Sequence, residues 1–292
     1  MPRPLRPKVT GCHDGSGHPR TRSACKDHRG AVTTTGWLHS QAGAMRNQKT
    51  FVLVHGSWQG AWSWDGVRDR LRGLGHRVLT PALPGRGAFD EDRSWIGHDD
   101  NVAAVLAAID ADGTGPVVLA GHSLGGVTVS QVADQRPGRV AQLIYCDAFA
   151  LEDGESVGDA MPEQMRTAVR ELAATRADRS IPMPWELWRA NFIQTAREQL
   201  ARESFRRLVP DPYRPVFEPI RLQRPIHREL PASFLAFTHD QAVPPGPAFW
   251  HPGMSGRLNG ARVTEIDGDH EILLTAPERL ADALHDAANT PA

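Results

Sequence analysis

The chain has 292 residues, with 33 Lys and Arg against 34 Asp and Glu, 40% hydrophobic residues and 23% charged ones. That is the balance of a soluble globular protein, and a net charge of −1 offers no general attraction to nucleic acid or to an anionic membrane. No apolar run approaches the roughly 20 residues needed to span a bilayer, and three cysteines cannot build a disulfide framework, which points to a reducing, cytoplasmic setting.

The near-neutral total hides an asymmetry. Residues 1–45 carry seven Lys and Arg and two acids, a net +5, which leaves −6 for the remainder. This segment is rich in Pro, Gly, Thr and His and has neither helical nor strand periodicity, so a disordered basic leader is expected. It holds no apolar stretch of signal-peptide length. Its Cys12-His13 and Cys25-His28 pairs fit no standard zinc spacing, so no metal site is expected. Met45, just before the first strand, leaves room for an over-extended start.

From Phe51 the pattern becomes regular. Phe51 to Val54 reads as a buried parallel strand ending at His55-Gly56. Ala61 to Leu74 has Trp62, Val67, Leu71 and Leu74 at helical spacing, and Gly75 ends it. A strand over Arg77 to Pro81, a helix over Asn101 to Ile109, a strand over Pro116 to Ala120, a helix over Leu124 to Gln135 and a strand over Val140 to Cys146 follow. Strands alternating with helices imply βαβ units and a mostly parallel α/β sheet flanked by helices. The alternation stops over residues 151–230, which read as helical and irregular, and resumes with strands Ser233 to Phe237 and Arg262 to Ile266 and a helix Ala276 to Ala288. The expected organisation is a core of residues 46–150 and 231–292, interrupted by a helical cap over 151–230.

Gly121-His122-Ser123-Leu124-Gly125 is a G-x-S-x-G motif between a strand and a helix, the context that exposes a serine nucleophile at the sheet edge. Acyl transfer also needs two N–H groups aimed at the developing oxyanion. One is expected from Leu124; the other from the loop His55-Gly56-Ser57-Trp58, with Ser57 preferred and Trp58 as the alternative. The serine needs a base held by an acid, in the chain order Ser, acid, His. His270 follows the last strand and fits the base better than His251 or His285. Asp240, after the strand Ser233 to Phe237, and Asp147, after the preceding strand, both fit the acid on position alone. Asp269 is expected to shape the loop of the base.

These segments resemble the α/β-hydrolase superfamily over residues 50–288, and within it the branch of plant methylesterases, hydroxynitrile lyases and bacterial esterases. The resemblance rests on Phe51-Val-Leu-Val-His-Gly-Ser-Trp-Gln-Gly-Ala-Trp, Gly121-His-Ser-Leu-Gly-Gly, Thr238-His-Asp-Gln-Ala-Val-Pro and Gly268-Asp-His-Glu-Ile-Leu-Leu-Thr. It implies the triad Ser123, Asp240 and His270, favouring Asp240 over Asp147, with oxyanion amides of Ser57 and Leu124. The resembled lyases carry threonine at the place of Gly56 and lysine at the place of Glu271. A negative Glu271 is expected to repel an anionic leaving group, which favours ester hydrolysis.

The expected partner is a small-molecule ester, with no metal or organic cofactor, no nucleic acid and no membrane; the sequence carries no signal for an oligomeric state. The cap supplies Met161, Met165, Trp185, Trp188, Phe192 and Phe205 as large apolar residues. Trp58, Trp185 and Trp188 are the candidates for substrate contact. Arg197, Arg202, Arg206 and Arg207 read as a solvated face, one member of which could meet an anionic substrate.

Overall fold

Strand positions at the C-terminal edge of one parallel sheet set the geometry of this protein. The computed structural model describes residues 48–87, 91–244 and 249–290. The expected leader over 1–45, with its Cys-His pairs, lies outside the described residues. The strands are β1 (Thr50–Val54), β2 (Arg77–Leu79), β3 (Val117–Ser123), β4 (Val140–Ala148), β5 (Ala232–Phe237) and β6 (Arg262–Ile266). All pairs are parallel, in the order β2-β1-β3-β4-β5-β6. β3 and β4 run past their expected ends, to Ser123 and Ala148, because their last residues are still buried and paired.

The central strands are buried on both faces, so successive side chains enter two different cores. Phe51, Leu53, Val118, Ala120, Ile144 and Cys146 pack on one face. There they meet Val67 and Leu71 of helix α1 (Asp65–Gly73). Val52, Val54, Leu119, Leu143 and Tyr145 pack on the other face. Their partners include Val102, Val105 and Ile109 of α2 (His98–Asp112) and Val127 and Val132 of α3 (Gly125–Gln135). Between β4 and β5 the chain forms α4 (Glu163–Ala174), α5 (Glu198–Phe205) and several single turns, tied by an isolated bridge between Ile181 and Asp211. The closing helix α6 (Pro277–Asn289) returns to the first face through Leu280, Ala281 and Leu284. Among the described residues, no helix is long and apolar enough to cross a membrane.

The turn from β3 to α3 is the tightest approach in the core. A Cβ on Gly121 would stand 2.8 Å from the Gly125 carbonyl, one on Gly125 2.6 Å from the Val54 oxygen, and one on Gly126 2.4 Å from the Phe149 oxygen. The neighbours are backbone atoms, which cannot swing aside. Gly126→Ala is therefore expected to lower unfolding free energy by roughly 2–4 kcal/mol in chemical denaturation. Gly138→Ala, where a Cβ meets nothing within 4 Å, should stay within about 0.5 kcal/mol of the parent.

Candidate active site

Ser123 closes β3 with a φ of 52°, a region that non-glycine residues rarely adopt. Its carbonyl accepts the Phe149 N–H at 3.1 Å, which fixes the turn to the end of β4. The serine sits at the N-terminus of the 11-residue α3, where unpaired N–H groups and the helix dipole favour negative charge.

The loop after β1 is held from below. His55 Nδ1 donates to the Gly56 carbonyl at 2.9 Å, and Nε2 accepts the Leu83 N–H at 3.3 Å. Burial, with help from nearby Arg86, drops the His55 pKa to about 3, so the ring stays neutral. Gly56 lies flat on the serine, since a Cβ there would stand 2.9 Å from Ser123 Cβ. Trp58 has a φ of 61° and gives its backbone N–H to Asp211 Oδ1 at 3.0 Å. That hydrogen bond commits the Trp58 amide to Asp211, while Ser57 lines the same cavity as Ser123. Asp211 is itself buried against Arg86 at 2.6 Å. Burial raises the Asp211 carboxyl, while Arg86 and the Trp58 and Ser57 groups pull it back down.

His270 follows β6, and its Nδ1 donates to Asp240 Oδ2 at 2.5 Å. Asp240 Oδ1 accepts the Ala242 N–H at 2.7 Å. With Nδ1 carrying the proton, Nε2 is left as an acceptor. Burial opposes the charged imidazole, but Asp240, by charge and hydrogen bond, outweighs it, with Asp269 adding. The His270 pKa therefore lies above the ordinary value. His122 supports the loop from beneath, donating Nε2–H to the His270 carbonyl at 2.9 Å, and burial holds its own pKa well below normal. Asp269 shapes the same loop, accepting the Thr195 N–H at 3.0 Å and the Thr275 hydroxyl at 3.0 Å. The other histidines considered as bases stand elsewhere: His251 pairs with Ser255, and His285 with His76.

Ser57, Leu124, Ser123, Asp240 and His270 line one cavity of about 670 Å³. Its walls are largely apolar and include Phe149, Met161, Met165, Leu172, Ile181 and Trp250. Of the three tryptophans considered for substrate contact, Trp58 lines it, and Trp185 and Trp188 do not. Trp188 is wholly buried, stacked on Phe192 at 6.0 Å, with its indole N–H given to the Ala201 carbonyl. Trp185 packs edge-on against Phe205 at 5.2 Å with Arg202 over its ring. Both serve the packing of the 151–230 segment. Sequence reasoning passed over the walls Val169, Leu172, Phe149 and Trp250. The first two continue a helical stripe with Met161 and Met165 that was readable. Trp250, whose ring stacks on His270 at 5.9 Å, arrives through a loop with no pattern.

Among the described residues, no Lys or Arg lines this cavity. Arg202 and Arg207 instead cover Trp185 and Trp62. Glu271 also behaves differently from the expectation. It is absent from the cavity wall and lies buried, accepting from Gln59 Nε2 at 2.7 and 2.6 Å. Burial pushes its pKa to about 8, so near neutral pH it is mostly protonated and repels nothing. It is a strut between the two loops. The unfolded chain releases this proton near 4.5, and the folded one near 8. The unfolded state thus binds fewer protons in that window, and stability falls as pH rises through it. Glu271→Gln is expected to gain in thermal midpoint relative to the parent steadily from about pH 5 to about pH 8; a constant difference would contradict this assignment.

Comparison with known proteins agrees with this fold. A family model described as "Alpha/beta hydrolase family" matches residues 51–283. A carbendazim-hydrolysing esterase from Nocardioides sp. is 37% identical over 39% of this chain and 48% of its own length. A methylesterase from Arabidopsis thaliana is 36% identical over 35% of this chain and 41% of its own. The chain thus spans about half the length of these relatives. A solved Paenibacillus structure is 34% identical with a TM-score of 0.77, covering 82% of this chain and 98% of that one. It is described as an extracellular α/β-hydrolase with structural and functional homology to tobacco salicylic acid binding protein 2. The chain belongs to the α/β-hydrolase family.

Proposed function

We propose that this protein is a serine hydrolase that cleaves a small-molecule carboxylic ester through an acyl-enzyme. The observation that carries this reading is the 2.5 Å hydrogen bond from His270 to Asp240, placed in the wall of the cavity that Ser123, Ser57 and Leu124 also line. The relatives named as esterases and methylesterases support the reaction class.

Ser123 Oγ attacks the ester carbonyl while His270 Nε2 takes its proton. Asp240 holds the Nδ1–H tautomer and stabilises the imidazolium that forms. The amides of Ser57 and Leu124 receive the oxyanion. His270 then protonates the departing alkoxide, and the alcohol leaves. Water attacks the acyl-enzyme with His270 as base, the second oxyanion collapses, and the carboxylic acid is released with the proton returned to Ser123.

Residues 151–230 act as a cap in this account. They supply Met161, Met165, Leu172 and Ile181 to the cavity, and with no Lys or Arg in the wall among the described residues they favour a neutral ester with an apolar group. A lyase role is disfavoured by Gly56, whose place against Ser123 Cβ admits no side chain. For location, three cysteines in 292 residues favour a reducing, cytoplasmic compartment.

Ser123→Ala should lower kcat on a nitrophenyl ester by about 10⁴–10⁶-fold while leaving the thermal midpoint nearly unchanged; activity at the parent rate would refute the reading. The base works only when neutral, and the His270 pKa is raised. The acid limb of kcat/KM against pH is therefore expected above the ordinary histidine value of about 6.5; a limb below it would contradict the Asp240 pairing.

A further inference from the structure

Asp147 has no part in the reaction just described, yet it lies against the group that orients the base. It sits near the end of β4 at a φ of 33° and is 1% exposed. Its Oδ2 accepts the Phe237 N–H at 2.9 Å, across to β5. Its Oδ1 takes no hydrogen bond from any N–H or from any serine, threonine or tyrosine hydroxyl among the described residues. The carboxyl group shares the wall of a second cavity with the Asp240 carboxyl, and the two groups interact by charge and hydrogen bonding.

Asp240 already accepts from Ala242 through Oδ1 and from His270 through Oδ2. Two buried carboxylates in contact repel unless a proton lies between them. The proton cannot reside comfortably on Asp240, which would then lose its charge-assisted hold on His270. Among the described residues, the donor that Asp147 has is the Phe237 amide. Burial, and then the charge of Asp240, push its pKa well above the carboxylate range. Asp147 is the member of the pair that keeps the proton.

We propose that Asp147 is a positioning residue: a neutral carboxylic acid that donates a hydrogen bond to Asp240 and fixes the carboxylate that orients His270. The proposal rests on the reading of Ser123, Asp240 and His270 as the catalytic set. A donor on Asp240 holds the carboxylate between the ends of β4 and β5. It also withdraws part of the negative charge that Asp240 offers to His270, and so moderates the basicity of the imidazole. Other titratable groups surround the pair. Asp269 and Glu271 flank His270 in its own loop, and His122 lies under its ring at 4.6 Å. Cys146 precedes Asp147, and His251 and Glu265 join Asp147 and Asp240 around a second cavity of about 240 Å³.

The test compares kcat/KM against pH for a nitrophenyl ester in the parent, Asp147→Asn, Asp147→Gly and Asp240→Asn. Asparagine keeps a donor toward Asp240 and an acceptor for Phe237, and both asparagine and glycine tolerate positive φ. Asp147→Asn should retain kcat within about threefold and hold the acid limb within about 0.3 pH units, because no charge is lost. Asp147→Gly should lose kcat about tenfold with KM little changed, and its acid limb should move up by roughly 0.5–1 pH unit as Asp240 becomes the stronger acceptor. An acid limb that moves down in Asp147→Asn would mean that a negative charge had been removed, and would overturn the proposal. A parent-like Asp147→Gly would overturn it too. Should the glycine variant fail to fold, the limb of Asp147→Asn decides alone. Full activity in Asp240→Asn would sink the catalytic reading itself. An inactive Asp240→Asn, beside failed outcomes at Asp147, sinks only this proposal.

Discussion

The close backbone approach at the end of β3 is the constraint on which the rest of the site depends. Gly121, Gly125 and Gly126 let the turn press between the end of β1, at the Val54 oxygen, and the end of β4, at the Phe149 oxygen. Only in that slot can Ser123 hold its positive φ, because neighbouring strands over-determine it. Gly56 extends the same logic to the next loop, which lies on Ser123 Cβ without a side chain of its own. Space is the scarce quantity here, and the glycines mark where backbone meets backbone.

Electrostatics then act on a site already fixed by packing. Few charges reach it, and most of those are buried. His55 and His122 are kept neutral by burial and serve as hydrogen-bonding struts. Glu271 holds a proton and ties to Gln59, while Asp269 anchors the base's loop to Thr195 and Thr275. Against that background His270 is, among the described residues, the histidine whose pKa is raised, and Asp240 does this against the cost of burial. A basic imidazole sharing one apolar cavity with a strained serine is suited to taking a proton from a hydroxyl.

Much of this was legible in the sequence. The strands and core helices announced themselves by apolar runs and helical spacing, and their bounds moved by only a few residues. Ser123 and His270 were readable from strand–turn–helix context and chain order. Asp240 and Asp147 could not be separated on position alone, because both end neighbouring strands; the structure places the two side by side. The apolar walls were less legible. Trp185 and Trp188 looked like substrate contacts, but size and hydrophobicity suit a packing core equally well, and both turn inward. Glu271 misled because its charge was read from its type, whereas burial decides its protonation.

The proposed reaction runs through a covalent intermediate on one serine. Incubating the protein with an activated phosphonate ester, which stops at the stage resembling the first tetrahedral intermediate, and locating the added mass by peptide mass spectrometry tests it most directly. The account predicts one label per chain, on Ser123, with loss of ester hydrolysis in proportion to labelling. A label on another residue, or full hydrolysis by a protein fully labelled at Ser123, would contradict it.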